Sequence, residues 1–249
     1  MINTFLKKKI VRILLCVFCL GVILLLGAII YYLNEIRIAR RDTPELSASA
    51  LKKYGTKLTP SHLSTVQKNM LLGVEDPTFA RHHGVDLETP GAGMTTLTQG
   101  LVKLLYFPNG FQQGIAKIRQ TLIAQYALDA IVSKNDQLLL FLNICYLGHE
   151  NGQAVYGYAN GARVYYGKEF SEITDDEFLS LVAMHIEPNG LKPKSAANMA
   201  RVTRIKTYLS GHYRPAGLLD VDYNGKQRGT LAEEVLMALL RLVVNAQPD

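Results

Sequence analysis

One run of the sequence, residues 13–33, contains no charged side chain: ILLCVFCLGVILLLGAIIYYL. At about 1.5 Å per residue, a helix of this length extends roughly 30 Å, which matches the hydrocarbon core of a bilayer. A cleaved signal peptide is the alternative, but its apolar region normally has only about 7–15 residues and a cleavage site of small residues close behind. The nearest such site, SASA at 47–50, is too distant. We therefore predict a single transmembrane anchor over residues 13–33.

Basic residues flank this run on both sides, and the positive-inside rule narrowly favours a cytoplasmic N-terminus. They are Lys7, Lys8, Lys9 and Arg12 before the run, and Arg37, Arg40 and Arg41 after it. We predict that residues 1–12 are cytoplasmic and that the bulk of the chain lies outside the cytoplasm. Residues 34–60 are polar and interrupted by prolines and a glycine, which indicates a stalk. Residues 61–249 are then one globular domain.

The composition agrees with one ordinary domain behind an appendage. Of 249 residues, 48% are hydrophobic and 19% are charged, and so low a charge excludes a disordered chain. The formal net charge of +6 suits a membrane surface, a phosphate-bearing substrate or nucleic acid without choosing among them. Three cysteines are too few for a disulfide framework, and each lies in an apolar run, so we interpret them as packing residues.

Apolar residues recur at helical spacing through most of the domain, which predicts a mainly α fold. Helices are expected, with serine caps at Ser61 and Ser133, over 61–75, 96–107, 115–132, 134–148, 175–186, 197–209 and 231–244, with a short one within 160–168. Residues 148–161 are expected to form a loop, and no run alternates long enough to demand a sheet. The last helix is expected to pack on the domain, with a second membrane contact as the alternative.

The stretch VEDPTFARHHGVD at 74–86 combines acids, a histidine pair and a glycine. Glu75 is expected to end a helix, because Pro77 prevents its smooth continuation. A partly desolvated carboxyl at that position has a raised pKa, the charge of Asp76 acts in the same direction, and Glu75 could then take a proton from a hydroxyl. The alternative is a surface pair that closes a helix. His82 and His83 could be metal ligands, but neighbouring residues seldom point the same way, so we expect a hydrogen-bonding role for one of them.

A second group of polar residues follows a glycine-rich loop. Thr96, Gln99 and Lys103 have the spacing i, i+3, i+7, which places their side chains on one helix face. Donors at a helix N-terminus suit an anion such as phosphate. Lys117 and Arg119 add two cations near the start of the next helix, and the planar guanidinium suits phosphate oxygens. For each group the alternative is an ordinary solvated helix face.

In this order the motifs resemble the transglycosylase domain of penicillin-binding proteins, and above all the monofunctional biosynthetic peptidoglycan transglycosylases. The family's first motif, Glu-Asp-x-x-Phe-x-x-His-x-Gly-x-Asp, is matched at every named position by Glu75, Asp76, Phe79, His82, Gly84 and Asp86. Its second motif, Gly-Gly-Ser-Thr-Ile-Thr-Gln-Gln-Leu-Val-Lys, is matched at Gly93, Thr96, Thr98, Gln99, Leu101, Val102 and Lys103. The resemblance spans about residues 65–210 and includes SKNDQLLLFLN and VYGYANGARVYYGK.

This resemblance implies a lysozyme-like helical domain on the outer, periplasmic face of the inner membrane. The family joins lipid-linked disaccharide units (lipid II) into glycan strands and releases undecaprenyl pyrophosphate. Glu75 is implied as the base, and the implied substrate-binding residues are Asp76, Phe79, His82, Thr96, Gln99, Lys103, Lys117 and Arg119. No metal ligand is assigned, although a divalent cation, Mg or Mn, stays open as a cofactor. Expected partners are the growing glycan strand, the membrane, and transpeptidases and other cell-wall synthesis proteins, but not nucleic acid.

The chain departs from the family at a second carboxylate. The third motif, Arg-Lys-x-x-Glu, puts that Glu at Thr121, or at Gln120 after a shift of one residue. A catalytically impaired relative that binds glycan lipid as a scaffold is therefore the main alternative. A lysozyme-like hydrolase is a weaker one, since glycoside hydrolysis normally uses two placed carboxylates. The roughly forty residues after 210 are too few for a transpeptidase domain, so we expect cross-linking to come from a partner.

Overall fold

The computed structural model describes residues 4–112, 114–227 and 229–245, so the first three residues of the predicted cytoplasmic segment lie outside it. As predicted, the described chain is a mainly helical domain behind one long apolar helix. Its α-helices are α1 (Thr4–Tyr54), α2 (Thr65–Glu75), α3 (Leu97–Tyr106), α4 (Ile115–Ile123), α5 (Asp129–Ile131), α6 (Lys134–Ile144), α7 (Tyr158–Tyr166), α8 (Asp175–Val182), α9 (Ala196–Leu209) and α10 (Leu231–Val243). A π-helix, Ala124–Leu128, joins α4 to α5, and short 3₁₀ turns cover Pro60–His62 and Phe170–Glu172.

Helix α1 is longer than the predicted anchor. Side chains of residues 13–30 are exposed, and the helix is long and apolar enough to cross a membrane. The segment expected to be a stalk, 34–60, is helical as far as Tyr54. Part of it is buried against the domain, where the Thr43 hydroxyl donates to the Ala39 carbonyl (2.6 Å) and contacts the hydroxyl of Tyr106 on α3. This packing stabilises the helix across Pro44, which removes one backbone hydrogen bond.

Two helices that frame the site begin at side-chain caps. Helix α2 starts after Ser64, whose hydroxyl accepts from the amide of Gln67, rather than after Ser61 as expected. Ser133 caps α6 as predicted, because its hydroxyl accepts from the amide of Asp136 at 3.1 Å. Most residues of α6 are buried, and the helix packs against α1, α3 and α7.

Residues 148–161, expected to form a loop, instead contain most of a β-hairpin and the start of a helix, so that expectation is wrong. Strands β1 (Tyr146–Glu150) and β2 (Gln153–Tyr156) pair in antiparallel register, and α7 begins two residues later. Asn151 and Gly152 form the turn with φ of 50° and 76°. Positive φ at both positions is what a two-residue hairpin needs, and Asn-Gly is its commonest sequence. The strands are too short to show a long alternating pattern, so the turn was the informative signal.

The connection from α2 to α3 passes directly beneath the π-helix. Gly84 has φ +77°, and a Cβ there would lie 2.6 Å from the carbonyl oxygen of Ala124. Only glycine combines this conformation with so close an approach. The contact fixes the path of the chain between the two helices that carry the candidate site.

Candidate active site

A cleft of about 470 Å³ opens where α2 ends, beside α3 and the chain that follows α8. Apolar walls come from α3, α6 and the segment near residue 220, including Leu97, Phe141 and Leu219. Five ionisable side chains apart from cysteine and tyrosine also line it: Glu75, Lys103, His185, Arg201 and Glu233. A half-enclosed apolar cavity with a few convergent charged groups is the usual form of a small-molecule or catalytic site.

Glu75 is the last residue of α2, and its side chain is only 17% exposed. Removal from water raises the pKa of this carboxyl to about 8. The positive charge of Arg201 opposes this rise, while the negative charge of Asp76 adds to it. A carboxyl with such a pKa exchanges a proton near neutral pH, as a general base must.

His185 lies beside Glu75 without neutralising it. Its Nδ1 is 3.8 Å from Glu75 Oε2, which is too long for a hydrogen bond, and its Nε2 is 2.9 Å from the Tyr158 hydroxyl. The ring stacks on Phe141 with centroids 5.1 Å apart. Burial, together with the charge of Arg201, lowers the pKa of His185 to about 3. The imidazole is therefore uncharged at neutral pH and forms a wall of the cleft.

Arg201, on α9, supplies the buried positive charge near Glu75. Its Nε donates to the Ala183 carbonyl (3.1 Å), and its Nη1 donates to the Val221 carbonyl (2.9 Å) and pairs with Asp222 (3.2 Å). These bonds hold the chain near residue 221 against the end of α8. Because the guanidinium is fixed, its charge acts on Glu75 from a constant position.

Lys103 and Lys117 form the lysine region of the site. Lys103 Nζ lies 5.0 Å from the ring centre of Phe111, and burial lowers its pKa. Lys117 is buried, with a pKa well below its ordinary value because of burial and because of the neighbouring charge of Lys103. Within the described part of the chain, no carboxylate oxygen lies within 4 Å of either ammonium group. Two close cations without carboxylate partners favour an anionic ligand.

The lysine region also holds the glycine loop in place. Lys117 Nζ donates to the Met94 carbonyl (2.6 Å) and to Thr95 Oγ1 (3.1 Å). On the other side, the amide of Gly93 donates to the carbonyl of Leu218 at 2.9 Å. The loop is thus fixed between α4 and the C-terminal segment. A second cavity of about 310 Å³ lies between these lysines and the first turns of α10.

Asp76 and His82, both predicted as substrate-binding, are buried behind the cleft. One carboxylate oxygen of Asp76 is 2.8 Å from His82 Nε2, and the other accepts from the amide of Leu97 at 2.9 Å. These bonds tie the end of α2 to the start of α3. Phe79, also predicted, is buried and packs its ring against His82 and the ammonium of Lys134. These three residues support the positions of Glu75 and Lys103.

Thr96 and Gln99 form the N-terminal capping box of α3. Thr96 Oγ1 accepts from the amide of Gln99 (3.1 Å) and donates to the Gly84 carbonyl (2.7 Å). Gln99 Oε1 accepts from the amide of Thr96 at 3.0 Å, and its Nε2 donates to Thr121 Oγ1 at 2.9 Å. The polar groups expected to meet phosphate are therefore engaged inside the protein, although Thr96 still borders the cleft.

Arg119 is placed apart from the other predicted cations. Its guanidinium pairs with Glu35 on α1 and lies 5.0 Å from the ring centre of Phe107. It borders neither described cavity. Of the predicted site residues, the structure therefore brings Glu75, Thr96, Lys103 and Lys117 to the two cavities and connects Arg119 to α1 instead.

The two positions aligned with the family's second Glu are buried. Thr121 Oγ1 donates to the Lys117 carbonyl at 2.7 Å, and Gln120 Nε2 donates to the Gln99 carbonyl at 2.6 Å. Neither lines the cleft. The second carboxylate at the cleft is instead Glu233 of α10, which accepts from the Thr230 amide at 2.8 Å. Within the described residues, no group of three or more His, Cys, Asp and Glu side chains could hold a metal ion.

Sequence reasoning missed His185, Arg201 and Glu233. One signal existed for Arg201, because the buried residues of α9 share a helix face at the spacing i, i+3, i+7: Asn198, Arg201 and Ile205. An arginine in line with an isoleucine on one helix face indicates a buried charge with a partner. Nothing local distinguishes His185 or Glu233, since both reach the cleft only through long-range packing.

Comparison with known proteins agrees with this geometry. The transglycosylase family matches residues 44–211, which is more than half of the chain. Penicillin-binding protein 1A of Streptococcus oralis is 26% identical over 177 residues, covering 66% of this chain and 27% of that protein. Penicillin-binding protein 1B of Buchnera aphidicola is 30% identical over 143 residues, covering 52% and 19%.

A protein of Cupriavidus necator, whose name assigns it provisionally to the transglycosylases, is 23% identical over 225 residues. That alignment covers 85% of this chain and 93% of the relative. The chain spans about a quarter of the length of the S. oralis penicillin-binding protein, so only one part of that larger protein is shared. The matched region contains Glu75, Lys103, Lys117 and Arg201, and on this evidence the chain belongs to the transglycosylase family.

Proposed function

We propose that this chain is a membrane-anchored peptidoglycan glycosyltransferase that polymerises lipid II on the outer, periplasmic face of the inner membrane. One observation carries the proposal. A carboxyl whose pKa is raised to about 8 shares a cleft with the cation Lys103, and Lys117 lies beside it without a carboxylate partner. The carboxyl can take the proton from a sugar hydroxyl, and the lysines can stabilise the negative charge of a pyrophosphate.

In the proposed reaction, the carboxylate of Glu75 takes the proton from the 4-hydroxyl of the acceptor sugar. The oxygen then forms a bond to the anomeric carbon of the donor. The bond between that carbon and the phosphate oxygen breaks, and its electron pair leaves with undecaprenyl pyrophosphate. Arg201 keeps part of the Glu75 population ionised, since its charge opposes the effect of burial on the pKa.

Lys103 and Lys117 stabilise the charge that develops on the leaving pyrophosphate. Both lysines have lowered pKa values because they are removed from water, so an anion in their vicinity would favour their charged forms. Fixed cations in a site with little water are effective in transition-state stabilisation. We assign no ligands and no catalytic step to the Mg or Mn ion that the sequence left open. We likewise assign no binding surface to partner transpeptidases.

The direct test supplies labelled lipid II to the purified full-length chain in detergent micelles and separates the products by gel electrophoresis. The wild type should make glycan polymer, and Glu75→Gln should reduce the rate by about 10²–10⁴-fold, the usual contribution of a general base. Glu45→Gln removes an exposed carboxylate on α1 and should leave the rate unchanged. Equal rates for the wild type and Glu75→Gln would reject the proposal.

A scaffold that binds glycan lipid without polymerising it is the second candidate. The burial of Thr121, where the family has a second Glu, favours it. Two results together would support the scaffold. The wild type would bind labelled lipid II without making polymer, and Glu75→Gln would bind lipid II equally well. Clearing of a cell-wall suspension by the wild type would instead indicate a hydrolase.

A further inference from the structure

The outward face of helix α10 is apolar along its whole length. Leu231, Val235, Leu239 and Leu242 are exposed, the first at 77% and the last at 81%. Their spacing of three or four residues puts them on one side of the helix. The opposite side, which includes Met237 and Leu240, is buried against the domain. A helix that is apolar on both its inner and outer sides is normally covered on both.

The charged residues of α10 do not interrupt this outward face. Glu233 is in the capping box, and Arg241 pairs with Glu88 at 2.9 Å while donating to the Leu87 carbonyl at 2.6 Å. By helical periodicity, Glu234 lies along the same edge as Arg241. We call the exposed residues 231, 235, 239 and 242 the α10 stripe.

The C-terminal end of α10 is connected to the anchor helix. The hydroxyl of Tyr126 donates to the Val243 carbonyl at 3.2 Å, and Arg40 on α1 donates to the Tyr126 carbonyl at 2.7 Å. Arg40 lies only seven residues after Leu33, which is roughly 10 Å along the helix from the end of the apolar run. This end of α10 is therefore near the level at which α1 would leave a bilayer.

The N-terminal end of α10 is connected to the anchor helix through a longer series of contacts. Ala232 and Leu236 border the same cavity as Phe111, whose ring lies 5.1 Å from that of Phe107. Phe107 lies against Arg119, and Arg119 pairs with Glu35, two residues beyond the apolar run. Contacts thus connect both ends of α10 to the part of α1 that directly follows the apolar run, which favours an orientation of α10 along the expected membrane surface.

We propose that the α10 stripe inserts into the surface of the lipid bilayer, so that α10 is a second, interfacial membrane contact. The occupant is the bilayer because both ends of α10 are connected to the part of α1 that directly follows the apolar run, and the stripe carries no charged side chain. The inference rests on the membrane anchoring in the proposed function. Because Glu233 of α10 borders the cleft, an inserted stripe would hold the cleft at the level of the lipid headgroups.

Fluorescence quenching by lipid tests this placement on the full-length chain in vesicles of phosphatidylcholine and phosphatidylglycerol. In a background of Cys16→Ala and Cys19→Ala, a polarity-sensitive dye is attached at Val235→Cys, and doxyl-labelled phosphatidylcholine is the quencher. Val164→Cys is the matched control, since both are exposed helical valines, at 54% and 46%. Val164 is on α7, which accepts a hydrogen bond from Lys57 beyond the far end of α1.

We expect quenching at Val235 to exceed that at Val164 several-fold and to approach that of a dye at Ile23→Cys inside the span. Quenching at Ile23 with equal, weak quenching at Val235 and Val164 would overturn the inference and leave the anchor standing. A blue-shifted Val235 dye that is not quenched by lipid and responds to protein dilution would assign the stripe to a second copy and also overturn it. Absence of quenching at both Ile23 and Val235 would reject anchor and inference together.

The polymerisation assay separates this inference from the proposed function. Strong quenching at Val235 in a chain that makes no polymer would support the interfacial helix and reject the enzyme. Polymer formation with no lipid quenching at Val235 would support the enzyme and overturn the interfacial helix. The two results are independent because the dye reports only on the position of α10.

Discussion

Burial affects Glu75 and the neighbouring lysine region, Lys103 and Lys117, in opposite directions. Burial disfavours the charged form of each group, so it raises the pKa of the Glu75 carboxyl and lowers that of Lys103 and Lys117. The carboxyl has a fixed guanidinium nearby, at Arg201, that partly compensates. The lysines have no carboxylate within 4 Å in the described residues, and the charge of Lys103 lowers the pKa of Lys117 further.

This difference separates two tasks that a glycosyl transfer requires. A compensated carboxyl with a pKa near neutral can alternate between its protonated and ionised forms during a cycle. Uncompensated cations are stabilised most when an anion arrives, so they favour the state in which the pyrophosphate is leaving. Substitutions that alter either the carboxyl or the lysine region, but not both, can therefore separate the two tasks.

The largest effect on stability is expected when a carboxylate is introduced into α4, at the position where the family has its second Glu. Thr121→Glu would place a charge where the side chain is fully buried and hydrogen-bonded to Gln99 and to the Lys117 carbonyl. We expect the free energy of unfolding to fall by about 3–5 kcal/mol with no gain in polymerisation, because the charge would be buried without a partner. Thermal unfolding and the polymer assay measure this. Thr207→Glu, at an exposed position on α9, is the control, and higher activity at unchanged stability would show that position 121 reaches the lysine region.

Removal of the Lys103 charge should affect turnover more than folding. Lys103→Gln is expected to lower kcat/KM about 10²–10³-fold, the usual loss for one electrostatic contact in a transition state. Stability should change little, because within the described residues the ammonium has no hydrogen bond or ion pair and lies only over the ring of Phe111. Lys68→Gln, an exposed lysine on α2, is the control for loss of general positive charge. A similar loss in both variants would contradict a specific role for Lys103.

The pH dependence of stability tests the carboxyl side. The folded-state pKa of Glu75 is raised from 4.5 to about 8, so its neutral form is favoured by folding. That contribution is fully present below pH 4.5 and is lost as pH rises through 8. Glu75→Gln should therefore gain stability relative to the wild type across this window, by up to about 1.4 kcal/mol for each pH unit between the two pKa values. Parallel denaturant titrations at several pH values measure the difference, and parallel curves for the two proteins would refute it.

The smallest effect is expected at Arg119. Its guanidinium pairs with Glu35 on α1 and borders neither cavity, so Arg119→Gln should change polymerisation only a few-fold. Partly exposed ion pairs of this kind contribute about 0–1 kcal/mol, which also limits the loss of stability. A loss as large as that of Lys103→Gln would mean that Arg119 turns toward substrate when it binds.

Local sequence patterns predicted the fold well wherever a pattern was compatible with only one structural role. The charge-free run predicted the long apolar helix α1, and the helical spacing predicted the helices from α2 to α6. Thr96 and Gln99 show the limit, because Thr-x-x-Gln is also a capping box, and that is the use the structure shows. We predicted an anion site from these two residues, whereas in the structure they cap the N-terminus of α3.

The residues that complete the cleft could not be predicted, since they arrive from distant parts of the chain. Arg201 acts on Glu75 across more than a hundred residues of sequence, and its burial depends on the folded segment around Val221. Glu233 comes from a helix beyond the matched family region. The hairpin was missed for a different reason, because Asn151 and Gly152 signalled a turn between strands too short to show alternation.

The central claim is that the Glu75 carboxyl is removed from water and titrates near neutral pH beside uncompensated lysines. Carbon-13 NMR of glutamate-labelled chain, compared between the wild type and Glu75→Gln, measures this directly. We predict one carboxyl resonance that titrates at about pH 8 and is absent from the variant. A wild-type spectrum in which every glutamate titrates below about pH 5, as exposed carboxyls do, would contradict the account.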